Sequence, residues 1–145
     1  MRYGHALLLA LATAALFVHP ARADDELNLG LKEAPPRILA LAKEWFQRFQ
    51  SGHIDRTQLD VRVNRELTDE MVRKESETLK PFGKPLKFVY FGSNKVQYAI
   101  GYNFLIEFKN GRVIELIAFD PEGKIAGIDF QTFVPDGSSG KSIQD

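Results

Sequence analysis

Six apolar residues, Ile38, Leu41, Ala42, Trp45, Phe46 and Phe49, fall at i, i+3, i+4, i+7, i+8 and i+11. That spacing is one continuous stripe, the signature of a helix lying against a core. Pro35 and Pro36 suit its first turn, and Gly52 suits the left-handed position after its last. A second start signal follows at once. Asp55 is placed as an N-cap with Gln58 three residues on, and Ile54 and Leu59 flank it as a hydrophobic staple. The same grammar recurs at Thr68, with Leu67 before it, Val72 four residues after it, and Asp69 and Glu70 in the dipole-favoured first turn. This predicts a helix from about Asp69 to Leu79, stopping before Pro81 and Gly83. Between these signals, "DVRVN" (60–64) fits a helix or a short extended piece.

From Leu86 the period changes to two. Val96, Tyr98, Ile100, Tyr102, Phe104, Ile106 and Phe108 share one face of a strand; Gln97, Ala99, Gly101, Asn103 and Glu107 lie on the other, with Leu105 the exception. Asn110–Gly111 is a strong hairpin signal, and "DPEGK" (120–124) marks a second turn, with Pro121 leading it and Gly123 ready for a left-handed bulge position. The expected strands are 86–92, 95–109, 112–120 and 124–134. Helices followed by strands predict an α+β domain, with three N-terminal helices packed on one face of a curved antiparallel sheet of about four strands.

Register arithmetic then points to candidate chemistry. A two-residue Asn110–Gly111 loop pairs Ile106 with Glu115, Phe104 with Ile117 and Tyr102 with Phe119. A three-residue turn pairing Asp120 with Lys124 places Glu115 opposite Asp129. Two carboxyls opposed on an apolar face repel each other, and desolvation raises at least one pKa, as an acid–base site requires. A bulge after the turn instead moves Asp129 to the other face. Glu75 interrupts the apolar side of the third helix and is the third candidate acid. Trp45, Tyr98 and Tyr102 are the candidate ligand contacts, although Trp45 also fits the core stripe as plain packing. The opposite sheet face carries Leu105, Ile114, Leu116 and Ala118, and by the same arithmetic Ile128 and Phe130. That is too apolar for a fully solvated face, and a homodimer through it is the simplest cover.

Composition narrows the options. There is no cysteine, which excludes disulfides and thiolate metal sites. The first 23 residues read as an export signal: Arg2, an apolar run from Ala6 to Val18 too short to span a bilayer, and a small-x-small site at Ala21–Arg22–Ala23. The expectation is a periplasmic or secreted chain starting at Asp24, with a flexible segment over 24–34 and a disordered tail over 135–145. Without Arg2 and Arg22, 17 basic residues face 19 acidic ones, a balance that offers no surface for nucleic acid. His53 is the one histidine outside the signal, held between the helix-ending Gly52 and the capping Asp55 with no partner in view; no metal or cofactor is expected.

The segments "WFQRFQSGHIDRTQL", "LTDEMVRKESETLKPFGKP" with its trailing FGxP, "YNFLIEFKNG" and "IAFDPEGKIAGIDF" together resemble the NTF2-like, or ketosteroid-isomerase-like, superfamily over about residues 35–134. The chain is similar in particular to small exported domains of that superfamily, some of which precede secreted serine hydrolases. The resemblance implies a cone of α+β structure that serves in some members as an enzyme pocket and in many as a non-catalytic domain. The expected role is non-catalytic: binding a small apolar molecule or peptide, or acting as a dimerising accessory to an envelope protein. The alternative is an isomerase, dehydratase or hydrolase using carboxylates and tyrosine hydroxyls.

Overall fold

The computed structural model describes residues 33–134. The expected export signal, the expected disordered tail over 135–145 and all but the last two residues of the 24–34 segment lie outside them. Helix α1 runs Pro36–Ser51, α2 Val61–Glu66 and α3 Asp69–Leu79. Four strands follow, β1 Lys87–Val96, β2 Ala99–Phe108, β3 Gly111–Phe119 and β4 Ile125–Phe133, paired antiparallel in the order β1-β2-β3-β4.

The helix signals act where the pattern placed them. Gly52 takes a left-handed φ of 78°, which lets its N–H return to the Phe49 carbonyl at 3.1 Å. Asp55 caps as expected, accepting from the Thr57 amide at 3.0 Å and the Gln58 side chain at 3.0 Å, but it opens a short 3₁₀ turn, Arg56–Gln58. The ambiguous "DVRVN" stretch is helical because Asp60 supplies a second cap, its Oδ1 accepting the Val63 amide at 2.7 Å. Thr68 caps α3 at the Met71 amide, 3.2 Å away. A 3₁₀ turn, Lys80–Phe82, carries the chain past Pro81 before Gly83 ends it. Helices α1 and α3 are cross-tied by Ser76 Oγ donating to the Gln50 carbonyl (2.9 Å) and by Gln50 Nε2 donating to the carbonyls of Leu79 (3.1 Å) and Gly83 (2.8 Å).

The sheet departs from expectation at three places. The first turn falls at Gln97–Tyr98, not near Ser93–Asn94, and splits the expected 95–109 strand; Gln97 adopts φ 54° to make it. The second hairpin turns at Lys109–Asn110, so Phe108 pairs with Gly111 and Glu115 with Phe104 rather than Ile106. The shift is two residues, which keeps every side chain on its expected face. In the third hairpin the Asp120–Lys124 closure forms as expected, with Asp120 N–H bonding the Lys124 carbonyl at 2.9 Å. One residue later β4 bulges: Ala118 pairs with Gly127 but Phe119 with Ile125, leaving Ala126 as the extra residue.

That single residue decides between the two registers read from the sequence, in favour of the bulge and against the carboxylate pair. Glu115 pairs with Phe130, Asp129 pairs with Leu116, and the two acids lie on opposite faces. It also corrects the expected outer surface, because Ile128 and Phe130 turn inward to the main core. The inner face of the sheet carries Phe104, Ile106, Phe108, Val113, Ile117, Ile125, Ile128 and Phe130, and Trp45, Phe46 and Phe49 of α1 belong to the same buried cluster. Phe130 joins sheet to helix, with ring centroids 5.9 Å from Phe46 and 5.2 Å from Phe49.

Candidate functional site

Trp45 is fully buried and donates its indole N–H to Gln58 Oε1 at 3.2 Å, which satisfies its one polar atom within the fold. Tyr98 lies at the β1–β2 turn, 49% exposed, and donates its hydroxyl to Asp60 Oδ2 at 2.5 Å. That bond, ahead of burial, raises its pKa. Tyr102 is half-buried on the inner face, its ring 6.5 Å from Tyr90 and 6.2 Å from Phe119. Burial, then the neighbouring Tyr90, pushes its hydroxyl pKa up. The three candidate ligand contacts therefore occupy three different environments: sealed core, exposed turn and a half-buried aromatic row.

Two of the candidate acids are buried on the helix side of the sheet. Glu115 is 0% exposed between Phe104 and Phe130, and neither carboxyl oxygen has a hydrogen-bond partner. Burial alone pushes its pKa well above the carboxylate range, so it is neutral where ordinary carboxylates are charged. Glu75 on α3 is 4% exposed; burial, reinforced by the negative charge of Asp129, lifts its pKa to about 7. These are perturbations of the kind that acid–base catalysis uses. Glu115, however, lies between Phe104 and Phe130, and its oxygens have neither solvent exposure nor a hydrogen-bond partner.

The third acid belongs to a different place. On the outer face, Phe91, Asn103, Ile114, Leu116, Asp129 and Gln131 line a half-open pocket of about 150 Å³. Each wall has a local cause. Phe91 is the extra residue of a bulge between Tyr90 and Gly92 in β1, and is left 56% exposed at the pocket edge. Asn103 and Leu116 are cross-strand partners, as are Leu116 and Asp129, so the floor spans three strands. Asp129 points outward only because of the Ala126 bulge. Its Oδ1 is buried without a hydrogen-bond partner. Burial raises its pKa, partly offset by the Phe130 amide and the Gln131 side chain.

Of the residues singled out from sequence, only Leu116, Ile114 and Asp129 meet here. Phe91, Asn103 and Gln131 were not anticipated, and only the two-sided apolarity of β2 and β3 pointed to this face. His53 sits beside its expected loop signals, with Nδ1 3.0 Å from the Ser51 carbonyl and no acid or nucleophile at its ring. Among the described residues, no group of three histidines or acids is arranged to hold a metal. No helix among them is long and apolar enough to cross a membrane. Compared with known proteins, the chain matches no family model, no curated relative and no solved structure.

Proposed function

We propose that this is an exported, non-catalytic domain of NTF2-like cone architecture that binds a peptide or protein segment on the outer face of its sheet. One observation carries the reading: the helix-side face around Glu115 is filled by the buried rings of Phe46, Phe49, Phe104 and Phe130, while the outer face keeps a pocket with the apolar walls Phe91, Ile114 and Leu116. Pocket size supports a peptide over a small molecule. At about 150 Å³ it is well below the roughly 300–1,000 Å³ typical of small-molecule sites, and it matches a single protruding side chain. Exposed Phe91 and half-buried Leu105 and Ile114 extend the apolar surface around it. Export rests on the pattern of residues 1–23.

The enzyme reading has one observation in its favour, the raised pKa values of Glu75 and Glu115. It requires a route for substrate past Phe104, Phe130 and Phe49, all of which are buried. The homodimer remains a rival occupant of the same outer face.

The test is selection of displayed peptides against the domain. Binders should shift the backbone amide resonances of Phe91, Asn103, Leu116 and Gln131, and Ile114→Glu should remove their binding while the fold is retained. Selected peptides that shift α1 or α3 instead, and that bind Ile114→Glu unchanged, would overturn the proposal.

A further inference from the structure

The polar groups of the outer-face pocket are one-sided in what they offer. Asp129 presents a buried Oδ1 with no partner. Asn103 commits its Nδ2 to the Gly92 carbonyl (3.3 Å) and to Asn94 Oδ1 (3.1 Å), which leaves its own carbonyl oxygen as the group for a ligand. The Gln131 side chain donates towards Asp129, so its oxygen too is an acceptor. The remaining walls, Phe91, Ile114 and Leu116, are apolar. Acceptors therefore outnumber free donors in the pocket, where one N–H of the Gln131 amide remains.

The other outer-face charges are arranged differently. Glu107 has Lys87 across from it on β1 and Arg112 across from it on β3. Asp129 faces Leu116 and has no such cross-strand cation. A purely apolar side chain entering the pocket would leave the sealed Oδ1 still without a donor. An anion would meet the Asp129 carboxylate and the Asn103 oxygen, with one amide N–H of Gln131 in its favour. A divalent cation would find a single carboxylate, and among the described residues no group of three acids or histidines is arranged to hold one. A long cationic side chain meets all the requirements: its alkyl stem lies on Ile114, Leu116 and Phe91, and its charged end donates to Asp129 and Asn103.

Resting on the reading of the outer face as a docking surface, we propose that the pocket receives the cationic end of one lysine or arginine side chain from a bound peptide. The requirement placed on the bound segment is one basic side chain at the position that faces the pocket. Asp129 sets the specificity, and Asn103 positions the donor.

The test uses two defined probes, acetyl-Thr-Val-Lys-Val-Thr-amide and the same peptide with norleucine replacing lysine, titrated into isotope-labelled domain. The lysine probe should bind at least about ten-fold more tightly and shift the amides of Asn103, Leu116, Asp129 and Gln131. Asp129→Asn should remove that ten-fold preference and leave the norleucine affinity unchanged; Asn103→Ala should reduce the preference by a smaller factor. Should Asp129→Asn fail to fold, the probe comparison and Asn103→Ala decide the matter. Equal affinity for both probes on the outer face would overturn the cation assignment and leave the docking surface intact. Binding of neither probe, or shifts confined to the helices, would overturn both. Self-association of the unliganded domain that is lost in Asp129→Asn would assign the pocket to a second copy and overturn the peptide proposal.

Discussion

Replacing Glu75 by glutamine tests the electrostatics of the helix–sheet interface directly. Glu75 is displaced from an ordinary 4.5 to about 7, first by burial and then by the charge of Asp129. Each tenfold change in a protonation constant is worth about 1.4 kcal/mol, so the displacement corresponds to roughly 3 kcal/mol. The sign follows from proton binding. Below pH 4.5 the carboxyl is protonated in both the folded and unfolded chain, and the native state carries no charge penalty. Between 4.5 and about 7 the unfolded chain releases the proton while the folded chain retains it, so stability falls as pH rises. Above about 7 the loss is complete. Glutamine copies the neutral acid and cannot ionise, so Glu75→Gln escapes that loss.

Guanidinium unfolding at pH 4 and at pH 8 measures this. At pH 4 the variant and the parent should agree within about 1 kcal/mol; at pH 8 the variant should be the more stable by roughly 3 kcal/mol, with the m-value unchanged. Asp55 does not confuse the comparison. The Thr57 hydroxyl, the Gln58 side chain and the Thr57 amide hold its pKa at about 2, so its contribution is present above 3.8 and lost only in stronger acid. A stability difference that is the same at both pH values would refute the assignment of Glu75 as a buried, neutral acid at pH 4–7.

Three further substitutions probe other parts of the structure. Glu115→Leu replaces a fully buried carboxyl with no partners by an apolar side chain of similar size and should raise stability at pH 7 by about 1–3 kcal/mol in thermal or denaturant melts; a loss would show that the carboxyl has a polar partner in solution. Gly111→Ala places a Cβ 2.6 Å from the Phe133 carbonyl oxygen, an atom of the backbone, whereas Gly101→Ala meets the movable Leu116 Cδ1 at 2.9 Å. The first should cost about 2 kcal/mol or more and the second less, so the reverse order in melts would contradict the β3–β4 register. Asp60→Ala removes both the α2 cap at the Val63 amide and the acceptor for the Tyr98 hydroxyl, for about 2 kcal/mol; Tyr98→Phe should cost less, and nothing further in the Asp60→Ala background.

The helices were legible in the sequence because their determinants are local. Stripe, cap and terminal glycine lie within a few residues of one another, and α1 and α3 begin and end where Pro36, Gly52 and Thr68 indicate. The sheet was legible as alternation but not as register. Three choices fix the register, the turn at Gln97–Tyr98, the hairpin at Lys109–Asn110 and the bulge at Ala126, and local turn chemistry left each of them with a competitor. The two-residue shift at the second hairpin was harmless to the faces, and Glu115 stayed on the expected side. The one-residue bulge was not. It separated Glu115 from Asp129, buried Ile128 and Phe130, and built a pocket wall that no local motif marks.

The same bulge joins the two faces of the sheet electrostatically. Asp129 lies in the outer pocket, yet its charge contributes to the raised pKa of Glu75 on α3. A cation held at Asp129 offsets that charge, so an occupied pocket should lower the Glu75 pKa by the part due to Asp129 while the larger part due to burial remains. Thermodynamic linkage requires the converse: protonating Glu75 and occupying the pocket with a cation must influence each other by the same free energy. A downward shift of the Glu75 side-chain carboxyl titration, followed by carbon NMR as a lysine-bearing peptide saturates the domain, is the expected sign; a shift upward would mean that the bound group does not neutralise Asp129. The buried acid on the helix side would then report on a pocket with which it shares no surface.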